Sequence, residues 1–471
     1  MNKSLQKTIC LVLAALLTAF AVSAVSEGEN DAQAWLALAE EAHRDEDYET
    51  ALRYYVLAAQ AGDMGAQILA AVYYYSGMGT EQSYENAAKY LQMAADGGNA
   101  NAQALLGSMY FYGHGLERNH EKALSLLLPS ARQGNAYAQQ MLGELYFYGG
   151  VVEQSMETSL EYTRQAAAQG NARALYNLGW HYENGVGVET DYAKAMECYR
   201  AAADKGHGDA LNNLGLMYEN GTGTQQDYAK AMECYRQAAD LGSTAALNNL
   251  GWMYENGFGT QQDYAKALEY YRQAADLGNI AALNNLGWMY ANGIGTQQDL
   301  AKALECYLQA ADLGSTDASV ILGRMYEFGD GVPQSYEKAA EFYQTAADLG
   351  DALGQAYLGI LYEFGDGVEL SYEKAREYFL LSAAQGNAVG QWGMGQLYQF
   401  GLGVEPSYEK AAEYYRLSAD QNDPDGLECL GYLYLNGLGV EQSTEKALDL
   451  YRQAAALGSE EAQLQLEIYG E

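Results

Sequence analysis

The sequence predicts an all-α protein, an αα-hairpin solenoid of about twelve 36-residue repeats with a C-terminal cap helix. Three observations carry that expectation. The first is strict internal repetition, the mark of a stacked-repeat fold. Leu106-Gly107 returns at Leu142-Gly143, Leu178-Gly179, Leu214-Gly215, Leu250-Gly251, Leu286-Gly287, Leu322-Gly323 and Leu358-Gly359, always 36 residues on. Ala70-Ala71 opens the series; Met394-Gly395 and Leu430-Gly431 continue it. The second is a tyrosine four residues after each leucine-column position, from Tyr74 to Tyr434. The third is the spacing inside a unit. In DALNNLGLMYEN (209–220), Ala210, Leu214, Met217 and Tyr218 fall at i, i+4, i+7 and i+8, which is one face of a helix.

The elements follow in chain order. MNKSLQK carries Lys3 and Lys7, and TICLVLAALLTAFAVSA is an apolar run ending in small residues. This is the pattern of a secretory signal peptide over 1–24, with cleavage after Ala24 or Ala21. The mature chain is therefore expected to be exported, either periplasmic or secreted. Residues 25–33 read as a short polar N-terminal linker, and the repeats fill 34–471. In a typical unit Gly221 and Gly223 end the first helix, because glycine accepts the positive φ that other residues resist. Asp227 then caps the second helix, YAKAMECYRQAADLG, whose core face carries Ala231, Tyr235 and Ala238 before Gly242 stops it. Gly215 sits inside the first helix at a cost of about 1 kcal/mol against alanine, so close approach of another helix is expected there. The tail EEAQLQLEIYGE restarts a first helix with Leu466 in the leucine column, which reads as a cap over 459–471. No stretch beyond the signal reaches 18 uninterrupted apolar residues, so no transmembrane span is expected after cleavage.

The order L-G-x-x-Y-x-x-G-x-G, Y-x-K-A, Y-x-x-A-A-x-x-G over 36 residues resembles the Sel1-like repeat, a relative of the tetratricopeptide repeat with a glycine loop between its helices. The likeness runs from about residue 34 to 469. It implies stacked antiparallel helix pairs in a right-handed superhelix with the first helix of each pair on the concave side. The first unit, AWLALAEEAHRDEDYETALRYYVLAAQAG, lacks the glycine loop and is closer to a plain tetratricopeptide unit. GGVVEQSMETSL at 149–160 departs from the loop pattern, and Asn422 stands where other units close on glycine. The family implies a protein-interaction scaffold or peptide-binding adaptor. Its secreted, cysteine-rich members also resemble β-lactam-binding or β-lactam-hydrolysing proteins, but this chain lacks their paired cysteines. A structural envelope spacer without a specific ligand is the third expectation.

Composition narrows the partner. Asp and Glu total 62 against 26 Lys and Arg, a formal charge of −36. A surface of that sign opposes nucleic acid and anionic membranes and favours a protein or extended peptide, including a basic one. Cys198, Cys234 and Cys306 share one repeat column with Tyr270, Phe342 and Tyr414, so with Cys429 they read as packing residues and not as a disulfide framework. His43, His114, His120, His181 and His207 share no column and no metal-ligand spacing. DQNDPDGLE at 420–428 fails the liganding pattern of a calcium loop. No catalytic residue, metal site or cofactor is expected, and the chain does not read as an enzyme.

One stripe of the first helices suggests binding. Asn213, Leu216 and Asn220 lie at i, i+3 and i+7. The same positions hold Asn177, Trp180 and Asn184; Asn249, Trp252 and Asn256; and Asn285, Trp288 and Asn292. An Asn amide both donates to and accepts from a peptide backbone, and Trp supplies anchoring area. Glu183, Glu219 and Glu255 flank the stripe and would favour Lys or Arg on the ligand. The alternative is packing: the second Asn shaping the helix end, Trp packing on the next unit, and the first Asn bonding between helices.

Overall fold

The structure, a computed structural model, describes residues 27–469. The signal peptide expected at 1–24 lies outside the described residues. Twenty-five helices and no strand occur among the described residues. None of these helices is long and apolar enough to cross a membrane. The chain divides into two compact units, Met1–Ser243 and Thr244–Glu471, a boundary that falls between two repeats.

Each repeat is a helix pair. Gly208–Asn220 and Tyr228–Asp240 are typical of unit 1, and Ile280–Asn292 and Leu300–Asp312 of unit 2. The local signals act as the sequence implies. Gly221 ends its helix in the left-handed region at φ +69°, and Asp227 accepts a hydrogen bond from the Lys230 backbone N–H at 3.0 Å. Asn422 takes the closing glycine's place at φ 59°, a conformation that Asn tolerates better than most side chains. At the irregular loop, Gly149 leaves the left-handed cap with ψ −154°, and the second helix begins at Met156. The stretch 25–33, expected as a linker, is helical from Glu27. The helix Glu27–Arg44 runs through to Arg44, and buried Ala32 already belongs to its core face. The C-terminal helix is Glu460–Ile468, shorter than the other helices, with Leu466 packed against the last core cluster.

The caps make one local prediction. Asn279 Oδ1 accepts from the Ala282 N–H at 2.9 Å and starts the helix Ile280–Asn292. Replacing Asn279 by alanine should destabilise that helix by about 1 kcal/mol. Faster hydrogen exchange confined to 280–292 is the expected readout, and unchanged protection there would contradict it.

The columns of the sequence become layers in each unit. Buried tyrosines of the second helices fill the core, Tyr199 and Tyr235 in unit 1 and Tyr271, Tyr343 and Tyr415 in unit 2. The first-helix glycine makes room for each. A Cβ on Gly215 would stand 2.5 Å from Tyr235 Cε1, so the close approach expected at Gly215 is real. The tyrosine that follows each leucine by four is sandwiched by its own second helix. Tyr254 stacks on Tyr270 with centroids 5.5 Å apart, and the Lys266 ammonium lies 5.1 Å from the Tyr254 ring centre. Where Cys198, Cys234 and Cys306 replace the stacking ring they remain free thiols, their pKa pushed up to about 11 by burial.

Within unit 1 the first helices Ala100–Tyr112 and Ala136–Tyr148 touch. Within unit 2 Thr316–Phe328, Ala352–Phe364, Ala388–Phe400 and Pro424–Asn436 touch in succession. Each unit therefore presents neighbouring first helices side by side, and columns of the repeat become rows on their shared face.

Candidate interaction surfaces on the first helices

The Asn and Trp stripe separates into packing and exposed residues. In unit 1, Trp180 packs edge to face against Phe147 of the preceding first helix at 5.4 Å and is half-buried. Asn177 Nδ2 donates to Glu144 Oε1 of that same helix at 3.2 Å, and Asn213 sits beside the Tyr199 hydroxyl. Asn184 Nδ2 donates to the Trp180 carbonyl at 2.9 Å, and Asn220 closes its own helix in the open. In unit 2, Asn285 Nδ2 donates to Asn248 Oδ1 at 3.0 Å, and Asn249 is likewise half-buried. Asn256 and Asn292 donate to the carbonyls of Trp252 and Trp288 at 2.9 and 2.8 Å. The first-column amides thus bridge helices and the last-column amides tie off helix ends. Trp252 and Trp288 differ from Trp180: they are 37% and 45% exposed on adjacent repeats of unit 2. Trp252 leans on Phe258 of its own glycine loop at 5.1 Å. Trp392, on the first helix Ala388–Phe400, is partly buried against the C-terminal core.

The glutamates take another role than the sequence suggested. Glu183, Glu219 and Glu255 do not stand as free flanks for a ligand. Each accepts a hydrogen bond from the buried tyrosine 16 residues on: Tyr199 at 2.5 Å, Tyr235 at 2.6 Å and Tyr271 at 2.6 Å. Burial first, and the carboxylate second, push those phenol pKa values far up. Glu327 and Tyr343 repeat the arrangement at 2.5 Å. The column fails at Glu363, because the opposing second helix carries Phe379 there. Glu363 is buried, its Oε2 meets no donor, and burial raises its pKa to about 7.

Two surfaces escaped the sequence. In unit 2 the column that holds Asn256 and Asn292 continues as Phe328, Phe364 and Phe400, all largely exposed on consecutive first helices. In unit 1 a cavity of about 530 Å³ opens between repeats, walled by Tyr75, Tyr112, His114 and Tyr137. Of the stripe residues none lines it. The signal for both was a change of residue type within a column, Tyr75 and Tyr112 where later units carry Glu and Asn. Among the described residues no three His, Cys, Asp or Glu side chains come together as metal ligands.

Comparison with known proteins agrees with the geometry. The Sel1 repeat profile matches 30–63, 65–99, 100–135, 136–171, 172–207, 208–243, 244–279, 280–315, 316–351, 352–387, 388–423 and 430–459. Among solved structures, a protective antigen present in uropathogenic Escherichia coli strains and displaying an SLR fold is 32% identical, with TM-score 0.57. That match covers 88% of this chain and 89% of the antigen. A Sel1 repeat protein from Oxalobacter formigenes is also 32% identical, covers 52% of this chain and 96% of its own, and has TM-score 0.48. Comparison with curated proteins gives no match. Twelve matched repeats, with the glycine-to-tyrosine contact and the left-handed glycine loop that the pattern requires, place this chain in the Sel1 repeat family.

Proposed function

We propose that the chain is an exported protein-interaction scaffold whose first-helix face in unit 2 anchors an extended, positively charged peptide. The observation that carries this reading is the pair Trp252 and Trp288, exposed on the same column of adjacent repeats. Large exposed indoles are uncommon on a surface without a partner and dominate the energetics of interfaces that have one. The net charge of −36 supplies the attraction for Lys and Arg, even though Glu255 already holds the Tyr271 hydroxyl. The signal pattern over 1–24 supports export.

The test is affinity capture from the native envelope fraction with the mature chain and a Trp252→Ala/Trp288→Ala variant, both checked by circular dichroism. The folded variant should retain its partner at least about tenfold more weakly. Capture by the wild-type chain should weaken as salt rises, in keeping with a basic partner. Equal capture by both proteins would end the reading. Amino-terminal sequencing of the envelope form should begin after Ala24 or Ala21; an intact Met1 would remove the export step.

A further inference from the structure

We infer that unit 1 carries a binding pocket for an uncharged aromatic ring joined to an amide or other carbonyl group. The inference does not rest on the peptide reading of unit 2, since none of the residues involved is shared. The cavity of about 530 Å³ falls within the usual size of small-ligand sites, about 300–1,000 Å³. Its chemistry is more informative than its size. In a chain of net charge −36, the lining contains no Asp, Glu, Lys or Arg. The nearby Glu144 is neutralised by Arg173 at 2.5 Å. An ion entering the pocket would lose hydration and meet no counter-charge, which disfavours charged ligands.

Rings form the wall and hold one another in place. Tyr112 stacks on His114 with centroids 5.5 Å apart, the Tyr75 hydroxyl and His114 Nδ1 share a hydrogen bond of 3.0 Å, and Tyr75 meets Tyr84 edge to face at 5.0 Å. A wall fixed before binding loses little entropy when a ring settles on it. Polar groups set the rest of the ligand. Asn101 accepts from Asn135 through Oδ1, and Asn171 accepts from the Ala174 N–H through Oδ1. Their Nδ2 groups and the Tyr112 hydroxyl donate to no protein atom among the described residues. The two amide groups can only donate and the Tyr112 hydroxyl can donate as well, so a ligand that answers them carries carbonyl oxygens. A purely aliphatic ligand would cover these donors without replacing their water.

The ring and carbonyl have two sources, a small aromatic amide or a Phe or Tyr side chain within a peptide. The experiment titrates the whole mature chain with N-acetyl-phenylalanine amide and with the corresponding Lys, Asp and Leu derivatives, followed by NMR. The phenylalanine probe should bind at least about fivefold more tightly than the other three. Tyr112→Ala, at a half-exposed position, and Asn101→Leu should each weaken it by about fivefold or more. Trp252→Ala/Trp288→Ala should leave it unchanged, which keeps this result separate from the fate of the unit 2 reading. Benzamide binding as tightly as acetyl-Gly-Phe-Gly amide assigns a small-molecule pocket; much tighter binding of the tripeptide assigns a peptide side chain. No preference for the phenylalanine probe, or full binding by both unit 1 variants with native circular dichroism, would overturn the assignment.

Discussion

Phe379→Tyr is expected to stabilise the folded protein above neutral pH and to flatten the pH dependence of the repeat that contains it. Four other repeats show the arrangement to be restored: a first-helix glutamate accepts from a second-helix tyrosine at 2.5 to 2.6 Å. Phe379 is fully buried in the position of those tyrosines and has no hydroxyl to offer. Glu363, 5% exposed, consequently has its charged form opposed by burial with no donor to offset it. Its pKa rises from 4.5 to about 7 in the folded state. The sign follows from linkage. The folded chain binds the proton more tightly, so the group's contribution to stability is fully present below pH 4.5 and is lost as pH rises through 7. The loss amounts to roughly 3 kcal/mol at most. A tyrosine hydroxyl donating to the carboxylate should return about 1–3 kcal/mol at pH 8.5 and much less at pH 5.5. Because repeats open locally, the readout is hydrogen exchange of Ala352–Phe364 and Tyr372–Ala384 at those two pH values. An equal loss of protection with rising pH in wild type and variant would show that Glu363 is not the titrating group.

Much of the fold was open to reading because period, helix face and glycine placement are properties of one unit written twelve times. Gly215 could be assigned to close packing from its place inside a helix, and Tyr235 supplied the contact. The glutamates could not be read in the same way. A partner 16 residues away lies across the hairpin, so periodicity along a single helix leaves Glu219 looking like a surface residue. The stripe was visible, but its division was not. Trp180 and Trp252 occupy one column, and only the neighbouring Phe147 decides that the first is half-buried. The cavity of unit 1 was hidden for a further reason: it is space left between repeats by side chains from three of them, and an empty volume has no residue of its own. The polar start of the first helix misled because composition alone does not reveal that Ala32 is already buried.

Gly251→Ala is expected to destabilise unit 2 by about 3 kcal/mol, against the direction that helix propensity gives. Gly251 lies inside the helix Thr244–Asn256, where alanine alone would favour folding by about 1 kcal/mol. The opposing effect is steric. A Cβ there would stand 2.6 Å from both Cδ1 and Cε1 of Tyr271, a fully buried ring with no room to withdraw. Displacing that ring also strains its hydroxyl bond to Glu255, a contact to a charged acceptor worth about 1.5–3 kcal/mol. Gly107→Ala provides the comparison. Its Cβ would meet Leu127 Cγ at 3.0 Å and Cδ2 at 3.1 Å, an aliphatic side chain that can shift by a few tenths of an ångström. The alanine at 107 should therefore cost clearly less than the alanine at 251. Urea denaturation of the two variants beside wild type measures both, with local hydrogen exchange identifying which helices open first. If Gly251→Ala proves neutral or stabilising, the glycine column is a relic of repeat duplication; if it is the more damaging of the two, the tyrosine contact is the reason the column exists.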